Sequence, residues 1–386
     1  MAQRPTRRVI AEPQRQKLLI LRPTMGQGGA DRITLTLLSA LDRRLFDLSL
    51  ALLRAEGDFL ADVPDDVPIT SLNASSVATG WLPLARLLRA TEPDILFSTS
   101  SGANLMAVLA RQLVGRRIRL VLSERNVLFH GPVTMKRRVV VWLKRWLYRR
   151  ADLVTAVSEG VKQDLVARLG LPPQRILVVY NPVVTDELES LAAEPVTHPW
   201  FEEDRPIILG VGRLIPQKDF QTLIRAFAQV RRAWDARLVI LGEGPLRQQL
   251  LQLANACGVA ADVSLPGFDK NPFKYMARCT LFVLSSTEEG LPGALIQAMA
   301  CGAAVISTDC PAGPSEIITP GRDGRLVPVG DVHAMATVIC ELLENPLMRQ
   351  RLGEQARQAA QRFAVGNVMD RYLAALLSRQ PVGSFV

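Results

Sequence analysis

The strongest constraint on this chain is a rhythm that runs twice. Short apolar runs rich in Val, Ile, Leu and Phe recur at 17–22, 46–53, 67–72, 94–98, 118–122, 152–157 and 176–180. Helical patterns separate them, as at 81–91 and 102–114. Runs that are continuously apolar, not alternating, read as strands covered on both faces, and parallel strands need a crossover helix between them. The first half is therefore expected to be a doubly wound α/β domain. Residues 190–206 (SLAAEPVTHPWFEEDRP) break the rhythm with three prolines and an acidic cluster, which suits an interdomain linker. The pattern restarts at 206–211 and continues through 237–241, 262–265, 280–284, 304–308 and 325–328. A chain of 386 residues is long enough for two such cores. The expected organisation is a disordered leader at 1–16, a first domain at 17–190, a linker at 191–206, a second domain at 207–364 and a terminal helix within 365–386. The two domains should face each other across a cleft.

Composition is that of a globular protein, 48% hydrophobic and 22% charged. The opening MAQRPTRRVIAEPQRQK is basic without an apolar core, and no run approaches the ~18 apolar residues of a membrane span, so a cytoplasmic protein is expected. Five cysteines, Cys257, Cys279, Cys301, Cys310 and Cys340, all lie in the second half with no CxxC pair. With only three histidines beside them, they read as small buried hydrophobes in a reducing compartment and not as a zinc site. Charge is unevenly distributed. Residues 1–190 carry 27 Lys and Arg against 18 Asp and Glu, whereas residues 191–386 carry 19 of each. The whole net charge of +9 therefore belongs to the first half, which is expected to meet an anionic partner.

Four loops carry chemistry. In SSTEEGLPGALIQAMACG, 285–302, an apolar strand runs into a helix that starts near Pro292, placing Glu288, Glu289 and Gly290 in the turn between them. Ligands of open α/β sheets sit at such turns, outside the carboxyl ends of strands, where free amides of the next helix meet phosphates or sugar oxygens. GRLIPQK, 212–218, follows the first strand of the second domain and presents Arg213 and Lys218. GEGPL, 242–246, opens with Gly242, and GQGGADR, 26–32, follows the first strand of the chain with Gly28 and Gly29. Lacking side chains, that pair lets an anion approach a helix N-terminus.

In this order and over nearly the whole chain from Lys17, the four loops resemble the retaining nucleotide-sugar glycosyltransferases of family 4, which have the GT-B fold. The resemblance implies that the second domain holds the donor. Arg213 and Lys218 would then neutralise charge on the leaving diphosphate, and Gly28 and Gly29 would face it across the cleft. Glu289 would contact the transferred sugar and help stabilise its oxocarbenium-like transition state. Gly242, Phe268, Gly290, Leu291 and Gly293 would complete the donor pocket. The family's second acidic position, eight residues after the first, holds Gln297 here. An amide offers one acceptor oxygen and two donors, so Gln297 is expected to meet the ribose with one bond reversed. LSERN, 122–126, ends a strand where many relatives place a histidine, and the nearest one, His130, lies further along. Glu124, Arg125 and Asn126 become the acceptor-side candidates, with an internal salt bridge as the alternative. Glu316 in PAGPSEI, 311–317, either closes the donor pocket or caps a helix. The terminal helix is implied to cross back to the first domain. No DxD triplet occurs, so neither a metal nor another cofactor is expected beside the donor.

Residues 136–150, KRRVVVWLKRWLYRR, hold seven cations and no anion. At 100° per residue Val139, Val140, Trp142, Leu143, Trp146 and Leu147 fall on one face, opposite Arg137, Arg138, Lys144, Arg145 and Arg149. That is the pattern of an interfacial helix on an anionic membrane. The alternative is that the apolar stripe packs on the first domain's sheet and the cations are only solvated. Nucleic acid is disfavoured, since no recognisable binding motif accompanies the basic face. The expected function is transfer of a hexose or N-acetylhexosamine from a nucleoside diphosphate sugar, UDP-linked, to a lipid-linked or cell-envelope saccharide. The reaction would take place on a protein associated peripherally with the cytoplasmic membrane face. A soluble transferase acting on a small phosphorylated acceptor, and a silent sugar-nucleotide-binding subunit, are the rivals.

Overall fold

A computed structural model of the protein describes residues 15–128 and 135–378. Most of the expected leader, and His130, lie outside the described residues. The first sheet holds β1 (Gln16–Arg22), β2 (Phe46–Leu52), β3 (Ile69–Ser71), β4 (Ile95–Ser98), β5 (Arg119–Glu124), β6 (Leu153–Ala156) and β7 (Ile176–Val178). The second holds β8 (Ile207–Val211), β9 (Arg237–Leu241), β10 (Val263–Gly267), β11 (Leu281–Leu284), β12 (Val305–Thr308) and β13 (Arg325–Val327). Strand order is β3-β2-β1-β4-β5-β6-β7 in one and β10-β9-β8-β11-β12-β13 in the other. Every pairing is parallel. These are two Rossmann-like sheets, and each reverses direction beside its first strand, between β1 and β4 and between β8 and β11.

The strands form where the apolar runs predict, with ends shifted by at most two residues. For all but the short, exposed edge strand β3 the cause is burial on both faces: Leu18, Ile20, Leu96, Leu120, Ile208, Leu238, Phe282 and Ile306 are all inaccessible to solvent. Several helices start on a short polar side chain that accepts a free first-turn amide. Ser100 accepts from Ala103 N, Asp219 from Thr222 N and Asp331 from Ala334 N.

The last helix, Val365–Leu377, leaves the second sheet and lies on the first. Tyr372 meets Phe97 edge to face with centroids 6.3 Å apart. Arg371 Nη1 donates to Val178 O, and Arg119 Nη2 donates to Ala375 O. The chain thus crosses between the two sheets twice, at 190–206 and just before this helix. The first crossing is itself packed, with the Arg237 guanidinium 4.4 Å above the Trp200 ring.

The basic helix, Met135–Tyr148, docks differently from the expected split of faces. Its buried side is Lys144, Leu147 and Tyr148. Lys144 is therefore not a membrane-contact residue: at 4% exposure it donates from Nζ to Glu124 Oε2 at 3.1 Å and to Ser101 Oγ. Glu124 is likewise not on the acceptor side. It is 1% exposed and also accepts a 2.6 Å hydrogen bond from the Tyr148 hydroxyl, which Asn104 Nδ2 supports at 3.0 Å. Burial, reinforced by the Glu124 charge, raises the Tyr148 pKa well above that of an ordinary tyrosine and keeps it a donor. A cation and a carboxylate that both leave water need each other, and their pairing turns the helix so that Lys144 faces inward. The turn leaves Met135, Val139, Trp142 and Trp146 exposed beside Arg138, Arg145 and Arg149. The Arg137 side chain lies outside the described residues.

Candidate functional site

The cleft is built by turns at the carboxyl ends of strands from both sheets. After β1, Arg22 turns back beneath the glycine loop, where it pairs with Asp31, and its Nη1 donates to Thr99 O and Oγ1 at 3.3 Å each. Burial pulls the Arg22 pKa down while Asp31 opposes it. Asp31 Oδ2 in turn accepts from Gly28 N at 3.1 Å. The ion pair therefore fixes the loop that starts the helix Gly29–Ala40. A Cβ added to Gly29 would meet nothing within 4 Å, so this end of the helix opens onto free space.

Opposite it, the loop after β8 and the turn after β11 are sewn together. Gln217 Nε2 donates to Glu288 O at 2.8 Å, Thr287 N to Gln217 O at 2.9 Å, and Ser285 Oγ to Lys218 O at 2.7 Å. This brings Lys218 Nζ to 2.5 Å from Glu289 Oε1, which also accepts from Ser286 Oγ at 2.7 Å. Arg213 stands exposed at the rim with no partner among the described residues. Gly242 follows β9 at φ +139°, where a Cβ would sit 2.0 Å from Gly212 O, so only glycine lets the two loops touch.

Arg213, Lys218 and Glu289 border one cleft of about 380 Å³, a volume typical of small-ligand sites. Gly28, Gly29, Gly242, Phe268, Leu291, Gly293 and Gln297 border it as well, as do Arg125 and Asn126 from the first domain. Glu124 and the basic helix do not. Gly290 lies at the seam: a Cβ there would come within 1.9 Å of Arg125 O, so the second domain's turn presses directly on the first domain's backbone. At one edge of the cleft Phe59 meets Phe268 edge to face at 6.3 Å, and Lys270 Nζ reaches Asp62 Oδ2 at 3.0 Å. Glu316, which does not border the cleft, caps a helix of the opposite domain, accepting from Glu159 N at 2.8 Å and Gly160 N at 2.7 Å. Of its two open roles the structure supplies the cap, and the cap bridges the domains.

Arg22, Asp31, Asn181, Gln217 and Ser286 are site residues that the loop motifs did not single out. Arg22 carried a signal, a cation closing the apolar run KLLILR; Gln217 and Ser286 carried none, since the partners of their side chains, Glu288 O and Glu289 Oε1, are set by the fold and not by a local pattern. Among the described residues no cluster of three or more His, Cys, Asp or Glu is arranged to hold a metal ion, and no helix is long and apolar enough to cross a membrane.

Comparison with known proteins agrees with this geometry. Residues 27–187 match the family described as Glycosyltransferase Family 4, and residues 198–359 match Glycosyl transferases group 1. The chain is 32% identical to the N-acetylgalactosamine-N,N'-diacetylbacillosaminyl-diphospho-undecaprenol 4-alpha-N-acetylgalactosaminyltransferase of Campylobacter jejuni, over 90% of this chain and 96% of that one. It is 25% identical to the lipopolysaccharide core biosynthesis glycosyltransferase LpsE of Rhizobium meliloti, over 91% and 96%. Anabaena HepE, solved with UDP and glucose, shares the fold at a TM-score of 0.77 and 21% identity, covering 94% of this chain and all of that one. Two Rossmann-like sheets, a cleft lined by the motif loops and a full-length relative together place this chain in the group 1, family 4 glycosyltransferases of the GT-B fold.

Proposed function

We propose that this glycosyltransferase moves a hexose or N-acetylhexosamine from a UDP-linked donor, with retention at the anomeric carbon, to a lipid-linked or cell-envelope saccharide at the cytoplasmic membrane face. The observation that carries the reading is the Lys218–Glu289 pair, set beside the unpartnered Arg213 in a cleft that Gln297 also lines. Lys218 and Arg213 supply preorganised positive charge where the diphosphate departs. Glu289 keeps Oε1 on Lys218 and Ser286 and offers its other oxygen to the transferred sugar. Gln297 meets the ribose hydroxyls with one acceptor and two donors. With two cations serving the diphosphate, the reaction calls for no divalent ion. The acceptor class draws support from the C. jejuni and R. meliloti relatives, named for a diphospho-undecaprenol-linked saccharide and for lipopolysaccharide core. It draws support also from the exposed Trp142, Trp146, Arg138, Arg145 and Arg149 of the basic helix, since an anionic surface contributes about 1 kcal/mol per nearby cation.

The test is transfer to lipid-linked acceptors with UDP, GDP and ADP sugars offered separately, the product anomer being read by NMR. A UDP sugar should serve, a chelator should not inhibit, and the donor's configuration should persist. Arg213→Ala and Lys218→Ala should each lower turnover by roughly 10²-fold; the exposed Arg213 should leave the melting temperature little changed, whereas Lys218→Ala, which strips the buried Glu289 of its cation, should lower it. Unchanged turnover in both variants would remove the assignment, and neither transfer nor donor hydrolysis with any nucleotide sugar would leave only a binding subunit.

A further inference from the structure

We propose that the first-domain floor of the cleft is a receptor for a phosphoryl oxyanion, built around Arg125. The inference rests on the transferase reading for the source of that oxyanion, which is either the leaving diphosphate or a phosphate carried by the acceptor.

Arg125 follows β5 and lines the cleft, where its Nη1 donates to Asn181 Oδ1 at 3.3 Å. Its Nε and Nη2 are shut off from solvent and have no hydrogen-bond partner. A guanidinium is rarely left in that condition, because unpaired buried donors on a charged group are costly. No carboxylate of the site answers it. Asp31 is held by Arg22 and Gly28 N, Glu289 by Lys218 and Ser286. Glu124, the preceding residue, points to the opposite side of its strand, where Lys144 and Tyr148 take it. Of the first-domain cations bordering the cleft, Arg22 is answered by Asp31 and Arg32 by Lys270 O, and Arg125 is left without an anion. Burial lowers the Arg125 pKa to about 10, so the group remains charged at neutral pH.

The chemistry of the missing partner follows. Two parallel N–H groups in a rigid fork match an oxyanion bidentately, which a neutral sugar hydroxyl cannot reproduce. The open end of the helix at Gly29 borders the same cleft and presents its positive dipole end to the same charge. In this reaction the available oxyanions are phosphates. Arg213 and Lys218 serve the donor from the other wall, so Arg125 is a first-domain group placed to hold phosphate as the two substrates meet.

The experiment compares the full-length wild type with Arg125→Met, which keeps bulk and removes charge, and with Arg125→Gln should the first variant not fold. Each is measured for melting temperature without ligand and for affinity towards UDP, inorganic pyrophosphate and a short-chain prenyl diphosphate sugar. The unliganded variant should melt at or above the wild type, because an unanswered buried charge is gone. Affinity for at least one phosphate probe should fall tenfold or more. A loss that includes UDP assigns the site to the leaving diphosphate, and a loss confined to pyrophosphate and the prenyl diphosphate assigns it to the acceptor. Unchanged affinity for all three probes overturns the proposal, whether or not melting changes. Binding through Arg125 in a protein that transfers no sugar would sink the transferase reading and leave the receptor standing.

Discussion

Gly290 shows how much a single hydrogen atom decides in this site. Its φ lies in ordinary territory, so an alanine would not strain the backbone. The obstacle is Arg125 O, 1.9 Å from where the Cβ would be, with Arg125 C at 2.7 Å and both belonging to the other domain. Backbone cannot rotate out of the way as a long side chain would, so Gly290→Ala must push the domains apart. Displacement of about 1 Å at a reacting centre is worth roughly 10²-fold in rate. Turnover of Gly290→Ala should fall by about that factor while each domain keeps its own cooperative melting transition. A calorimetric trace with one transition lost, or unaltered turnover, would contradict this. Gly29→Ala is the control for stability: its Cβ meets nothing, and alanine in a helix exceeds glycine by about 0.5–1 kcal/mol. A melting temperature at or above the wild type is expected there. At this scale Arg213, Lys218, Glu289 and the glycines were legible because loop motifs announce them. The partners that hold them were not, because the hydroxyl of Ser286 and the amide of Gln217 reach the site by tertiary folding that no local pattern encodes.

Among elements, the strands were the most legible, since a parallel strand buried on both faces leaves an apolar signature that little else in a polar loop region imitates. The helix Met135–Tyr148 was legible as a helix, and its exposed face was misread at one position, Lys144. Periodicity gives the angular position of each side chain but not which arc turns inward. A basic face looks solvent-bound unless one knows that Glu124 waits beneath it. One cation of the set is structural, and the remaining exposed ones share their arc with Trp142 and Trp146. The two groups should separate by measurement. Replacing Trp142 and Trp146 with Ser, or Arg138, Arg145 and Arg149 with Gln, should abolish salt-sensitive sedimentation with anionic vesicles and leave chemical denaturation unchanged. Lys144→Met should do the reverse. Leaving Glu124 buried without its cation costs about 3–5 kcal/mol, read as a lower denaturation midpoint, with vesicle binding retained in the folded protein. Vesicle binding that survives loss of the tryptophans and the three arginines would show that this surface does not meet lipid.

The two sheets meet at the Gly290–Arg125 seam, at Phe59–Phe268 and Asp62–Lys270, and at Glu316, and the Glu316 contact is the most directional. Both oxygens of its carboxylate accept amide protons from the start of Glu159–Leu169, so a formal charge of the second domain sits on the positive end of a helix dipole of the first. Charged hydrogen bonds of this kind contribute on the order of 1.5–3 kcal/mol. A separated arrangement of the domains would return both amides and the carboxylate to water, so this energy bears on the equilibrium between closed and open forms and hardly on either core. Glu316→Gln tests it with minimal change of shape. The amide keeps one acceptor but turns its NH2 towards a second N–H, so one contact is lost and the charge with it. If only the closed form grips donor and acceptor together, apparent affinity falls in proportion to the closed fraction. The KM for the acceptor should then rise by about tenfold, with kcat at saturating substrates within a factor of two or three and the melting temperatures of the domains unmoved. X-ray scattering of the variant should give a larger radius of gyration than the wild type, and saturating UDP sugar should bring the two together. An unchanged KM with an unchanged radius would mean that Glu316 caps a helix and nothing more, and that the domains are held by the remaining contacts, the Gly290–Arg125 seam, Phe59 against Phe268 and the Asp62–Lys270 pair.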